Sequence, residues 1–282
     1  MDNPASDSTR ASDAPFWLIA LAKAGYAARG FVYVVIGSLA LMQAFGQGGG
    51  TTDSKGALQA LASAPAGTAL LWAVAVGLVG YSVWRAIQAI LDVDAHGTDA
   101  KGLTIRIGLG VSAVTHTLLA IYAGSVAMGS GGDSGSGGGG KSGLVAKMLG
   151  WPGGKWIVVF VGLCFIGAGI AHAVKAHKEK YEKRFVIDPD TMKKIEPICK
   201  FGLYARCVVF AIIGGMMIYA GWTQDPDQAK GVAGVLDTLS TFGNILMGVI
   251  AAGLLAFGLY SIFEAVYRKI DKPDNLDPTT EG

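Results

Sequence analysis

Six stretches of the chain are long and nearly free of charge: residues 31–45, 66–84, 107–128, 156–174, 207–222 and 238–263. A helix that crosses hydrocarbon needs ~20 apolar residues. The first and fifth stretches are short by that measure. They reach it only with the preceding turns, which brings Arg29 and Arg206 into the spans. Backbone polar groups in lipid must be bonded within their own segment, so each stretch predicts an α-helix. The pattern therefore predicts an all-α membrane protein with six transmembrane helices. Residues 57–61 are apolar-periodic and short, and predict a turn of interfacial helix.

The polar positions are sorted by side. The segment before the first span, the loops after the second and fourth, and the segment after the sixth hold 18 of the 23 Lys and Arg residues; the opposite side holds 5. The positive-inside rule places the first group in the cytoplasm, with both termini. Trp17, Trp151, Trp156 and Trp222 fall near predicted interfaces, where aromatic belts form. The first 15 residues are polar and carry Asp2, Asp7, Arg10 and Asp13, without the basic-then-apolar order of a cleaved signal. The first span is thus expected to be an uncleaved anchor.

The chain also repeats. Residues 22–37, AKAGYAARGFVYVVIG, and 199–214, CKFGLYARCVVFAIIG, agree at seven of sixteen positions. A weaker middle copy aligns Arg106 with Lys23, Gly108 with Gly25, Ser112 with Arg29 and His116 with Tyr33. In the second helix of each unit, Tyr81-Ser82 aligns with Tyr260-Ser261 and Arg85 with Glu264, while His172 takes the aromatic position of the middle copy. Two spans per unit leave all units pointing the same way, so three helical hairpins are expected around a pseudo-threefold axis along the membrane normal. The division is 1–15 as a cytoplasmic N-terminus, 16–91 as repeat 1, 92–178 as repeat 2, 179–270 as a cytoplasmic loop with repeat 3, and 271–282 as a cytoplasmic tail.

Gly25-Tyr26-Ala27-Ala28-Arg29-Gly30, followed by Tyr33 and Gly37 and with Tyr81, Trp84 and Arg85 in the partner helix, resembles a bacterial membrane-protein family catalogued as domain of unknown function 1206. The resemblance covers about residues 16–270 and departs from the motif in the second unit, where Ser112 replaces the Arg. It implies three two-helix units and a bacterial inner-membrane setting. It implies no activity.

Composition adds limits. Charged residues make up 16% of the chain, against the roughly 25% of soluble domains. A net charge of +2, without a basic stripe, argues against nucleic acid. Cys164, Cys199 and Cys207 have no metal-ligand spacing and read as small apolar thiols. The Gly-rich run 129–140 lacks a phosphate-loop motif and reads as a linker on the outer side. No catalytic, metal or cofactor signature occurs, so neither an enzyme nor a cofactor is expected. His116 and His172 differ in depth by about seven residues, or ~10 Å of helix rise, too far for opposite ligands of one haem. They read as packed rings.

The candidate site consists of Arg29, Arg85, Arg206 and Glu264, which should share a depth on the cytoplasmic side. A charge there is costly unless paired or wet. Glu264 is expected to pair with Arg206 in its own hairpin, leaving Arg29 and Arg85 without an acid in theirs. An anion, best a phospholipid headgroup, would complete such a cluster. The expected function is a non-enzymatic, lipid-associated scaffold or accessory subunit, whose partners are anionic membrane lipids and a membrane protein. The alternative is a small-solute channel or transporter along the pseudo-threefold axis.

Overall fold

The computed structural model describes residues 15–94, 96–130 and 140–270, so the two terminal segments and most of the Gly-rich run lie outside the described residues. Every long element described is helical. Unit 1 comprises α1 (Phe16–Ala44), α2 (Ser54–Ala62) and α3 (Gly67–Leu91). Unit 2 comprises α4 (Ala100–Ala127), α5 (Gly140–Leu149) and α6 (Gly154–His177). Unit 3 comprises α7 (Pro189–Thr223), α8 (Val232–Thr241) and α9 (Asn244–Tyr267). The six long helices are apolar enough to cross a membrane, and each unit places a short helix between its two long ones. This is the all-α, three-hairpin membrane fold that the hydrophobic pattern predicts.

Local chemistry sets the boundaries. Asp53, Asp99 and Asp188 cap α2, α4 and α7 by accepting from backbone N–H groups in the first turn. The residue before each second long helix, Ala66, Gly153 or Gly243, has positive φ, left-handed at the first two, so each unit breaks its backbone at the same place. At Gly243 it corrects the sixth predicted span. Residues 238–241 belong to α8, and the membrane helix starts only at Asn244. An apolar window does not register a single-residue break. The first and fifth helices are longer than their apolar cores suggest, with 29 and 35 residues. At 1.5 Å per residue they measure about 44 and 52 Å, beyond the ~30 Å hydrocarbon layer.

Neighbouring units make the most extensive contacts. Going round, α4 packs on α3, α3 on α1, α1 on α9, α9 on α7 and α7 on α6. Glycines allow the closest crossings: a Cβ at Gly30 would lie 2.7 Å from the carbonyl of Gly258, and one at Gly162 2.7 Å from that of Gly214. The ring stays open between α4 and α6, which have no comparable contact. These are the least buried of the long helices. Outward residues such as Val76, Val114, Leu118, Phe160 and Val249 are exposed and apolar, as a lipid-facing surface requires.

The loop after α6 folds over the basic end of the bundle. Val186 N–H donates to the Tyr267 carbonyl and Lys269 N–H to the Arg184 carbonyl, both at 2.8 Å. Tyr181 and Phe185 lie on the Tyr260 ring at 6.0 and 6.4 Å. The Lys-rich run 175–200 is thus divided between the end of α6, this loop and the first turns of α7.

Candidate functional site

Glu264, one turn from the end of α9, is buried and lies at the centre of a polar network. Its Oε2 faces Arg29 Nη2 at 2.7 Å. Its Oε1 accepts from Lys175 Nζ at 3.2 Å, Arg268 Nη1 at 3.1 Å and the Tyr260 hydroxyl at 2.7 Å. Arg29 also donates to Ser261 Oγ, at 2.8 Å from Nη2, and to the Tyr81 hydroxyl. Arg85 Nε reaches the same hydroxyl at 2.8 Å and its Nη1 reaches Gln88 Oε1 at 3.0 Å. Gln88 then donates to Asp94 at 2.7 Å, and Asp94 faces Arg268 at 3.6 Å and pairs with Arg184. The path from Glu264 through Arg29, Tyr81, Arg85, Gln88, Asp94 and Arg268 closes on itself, drawing on α1, α3, α9 and the segments that follow α3 and α9.

The expected pairing of Glu264 with Arg206 is corrected: Arg29, from another unit, takes that place. The reason is packing. The close Gly30–Gly258 crossing lays Arg29 against the last turns of α9. Arg206 instead donates to the Tyr33 hydroxyl and stacks 4.1 Å from the Phe210 ring centre and 4.8 Å from that of Phe257. Arg29 lies 5.3 Å from the same Phe257 ring, so two guanidinium groups share it. Among the described residues, Arg85 and Arg206 form no ion pair, and the buried Nε of Arg206 has no hydrogen-bond partner. Such a group in low dielectric is costly unless something completes it.

The candidate residues are therefore connected unevenly. Arg29 and Glu264 touch, Arg85 joins through Tyr81, and Arg206 stands across Phe257. Lys175, Arg268 and Asp94 were not identified as site residues from the sequence. The first two flank the ends of apolar spans as many Lys and Arg residues of this side do, and Asp94 sits in a loop with nothing local to announce its distant partners. The Tyr-Ser pairs were visible as a repeat signal: Ser261 bonds Arg29, whereas the aligned Ser82 donates to the Ala113 carbonyl on α4 at 2.6 Å.

His116 and His172 flank the open side. The His116 ring lies 4.6 Å from Tyr81, and its Nδ1 is 2.7 Å from the Ser112 carbonyl oxygen. His172 lies 5.6 Å from Phe210 and 5.8 Å from Phe257. Farther out, Glu179, Glu182 and Glu196 approach one another closely enough to bind a metal. The Lys200 ammonium already bridges Glu179 and Glu196, where a cation would sit. Burial, then the neighbouring Glu179 and Glu196, raises the Glu182 carboxyl above its ordinary range.

At the rim, Asp92 accepts from the backbone N–H groups of His96 at 2.9 Å and Gly97 at 2.7 Å. His96 lies 3.9 Å from Asp94. Burial, with Arg106, Arg268 and Lys101, lowers the imidazole pKa against the opposing pull of Asp92. A base with a lowered folded-state pKa is protonated first in the unfolded chain. Its contribution is complete above about pH 6.5 and is lost as pH falls toward the folded value. His96→Gln is expected to reduce the loss of thermal stability between about pH 7 and 5. A melting series across that range in wild type and variant checks this, and parallel curves would contradict it.

Three segments of the chain, residues 24–92, 107–179 and 201–268, match the family described as "Domain of Unknown Function (DUF1206)". The chain is also 34% identical over 260 residues to the "Uncharacterized protein YxxB" of Bacillus subtilis (strain 168), covering 89% of this chain and 92% of that protein. No solved structure matches. The matched segments take in Arg29, Arg85, Arg206 and Glu264, and each spans most of one hairpin of the bundle. The chain belongs to the family described as "Domain of Unknown Function (DUF1206)".

Proposed function

We propose that this protein is a non-enzymatic, multi-pass protein of the bacterial inner membrane, with both termini cytoplasmic. It acts as a lipid-associated scaffold or accessory subunit that holds an anionic headgroup at its cytoplasmic end. One observation carries the proposal. Among the described residues, the connected cluster and its neighbour Arg206 bring together Arg29, Arg85, Arg206, Arg268 and Lys175 against two carboxylates, Glu264 and Asp94. A bilayer supplies such an excess of cations with anionic headgroups on the side that the positive-inside rule makes cytoplasmic. Arg suits phosphate through its bidentate fork.

Native mass spectrometry of the protein released from nanodiscs tests this. Wild type is expected to retain anionic phospholipid. Arg85→Ala and Arg206→Ala should each lower retention by roughly tenfold or more, since a charge-assisted contact contributes about 1.5–3 kcal/mol. Equal retention by all three proteins would remove the headgroup from the proposal.

A further inference from the structure

We propose that the open seam between α4 and α6 holds the hydrocarbon chain of a phosphate-bearing amphiphile, with Arg206 binding its phosphate. This rests on the anionic-headgroup function proposed above, and adds the ligand's shape and its route of entry.

The seam is a departure from the repeat at one place. Gly25, Gly108 and Gly202 are aligned positions in the first helices of the three units. In unit 1 a Cβ at Gly25 would lie 2.5 Å from the Cα of Tyr81 on α3, and in unit 3 one at Gly202 would lie 2.4 Å from the backbone nitrogen of Phe257 on α9. Both glycines seat the second helix of their own hairpin. At Gly108 nothing lies within 4 Å. The middle unit keeps the small residue and lacks the helix that it would seat.

Both walls are held elsewhere. Arg106 donates to the carbonyls of Ala89 and Ile90, each at 2.8 Å, and ties α4 to the end of α3. The Gly162–Gly214 crossing ties α6 to α7. The gap therefore does not depend on contact between α4 and α6, and a guest can occupy it without breaking the bundle.

The inner end of the seam identifies the guest. Phe210 and Phe257 are shared by His172 of α6 and the Arg206 guanidinium, whose Nε has no partner. His116 of α4 faces Tyr81, the hydroxyl on which Arg29 and Arg85 converge. A ligand here meets the Arg206 guanidinium, which no carboxylate of the described residues balances, so its head is an oxyanion. The lipid-facing sides of α4 and α6 carry exposed Val114, Leu118, Phe160 and Leu163, so both walls stand in hydrocarbon, the route in comes from there and the rest of the ligand is apolar. A partner helix would fill the gap but leave Arg206 without an anion. A free anion would satisfy Arg206 and leave the gap empty.

The experiment uses the full chain in phosphatidylcholine nanodiscs, with lysophosphatidic acid as the single-chain probe and inorganic phosphate as the tail-less one. Lysophosphatidic acid is expected to bind at least 100-fold more tightly than phosphate. Gly108→Phe, which places a ring in the open space at the aligned position, should weaken it tenfold or more while leaving the melting temperature unchanged. Arg206→Gln should weaken it to a similar degree. If Gly108→Phe binds as wild type does while Arg206→Gln does not, the headgroup function stands and the seam is not the route. Equal binding of phosphate and lysophosphatidic acid makes this a free-anion site and also rejects the seam. Binding of neither probe overturns both proposals together.

Discussion

Glu264→Ala is expected to lower stability by about 3–5 kcal/mol, the usual effect of removing one partner from a buried ionic network. The carboxylate accepts from Arg29, Lys175, Arg268 and Tyr260, and no other acid of the described residues lies close enough to Arg29 or Lys175 to replace it. Its loss leaves cations from α1, α6 and the segment after α9 facing one another at the basic end. Arg206→Leu should behave in the opposite way in delipidated protein. It removes a charge that no carboxylate balances and places an apolar side chain among Tyr33, Phe210 and Phe257, so the melting point should hold or rise. Thermal unfolding of the two variants in one mild detergent measures the difference. Equal destabilisation would show that the network does not discriminate between these charges and would reject the assignment of Glu264 as its centre.

Three aligned glycines provide the second large effect, and an internal control. Gly25→Leu and Gly202→Leu are expected to disrupt their hairpins. Even the first carbon of the new side chain meets backbone atoms at 2.5 and 2.4 Å, which rotamer changes cannot relieve. Overpacking a tight contact costs about 1–3 kcal/mol where the structure can adjust, and backbone against backbone leaves little room, so loss of folded protein is the expected outcome. Gly108→Leu at the same repeat position should be tolerated, because its Cβ enters open space. Folded yield by gel filtration, with a melting curve for whatever survives, reports the contrast. Similar damage at all three positions would mean that unit 2 closes like its neighbours and that the seam is not a standing feature.

The candidate site was partly legible. Arg29, Arg85, Arg206 and Glu264 stand out in the sequence because each is a charge inside an apolar stretch, and such a charge is rare enough in a membrane helix to mark a place. Which charges meet was not legible. The expected Glu264–Arg206 pair assumed that sequence neighbours within a hairpin are also the closest neighbours in space. In this bundle α1 and α9 cross through Gly30 and Gly258, so the partner of Glu264 lies 235 residues away. Asp94 was invisible for a related reason. It follows α3 in a short loop, and its role comes from Gln88, Arg184 and Arg268 converging there.

Helix number, the threefold repeat and the sorting of charge were set by the sequence alone, because apolar length and charge asymmetry act locally along the chain and need no knowledge of neighbours. The order of helices around the ring, the exchange of ion partners between units and the gap between α4 and α6 were decided only by the tertiary structure. Without water inside the bilayer, helix association depends on how closely backbones approach. That depends on whether each glycine finds a facing helix, as Gly25 and Gly202 do and Gly108 does not.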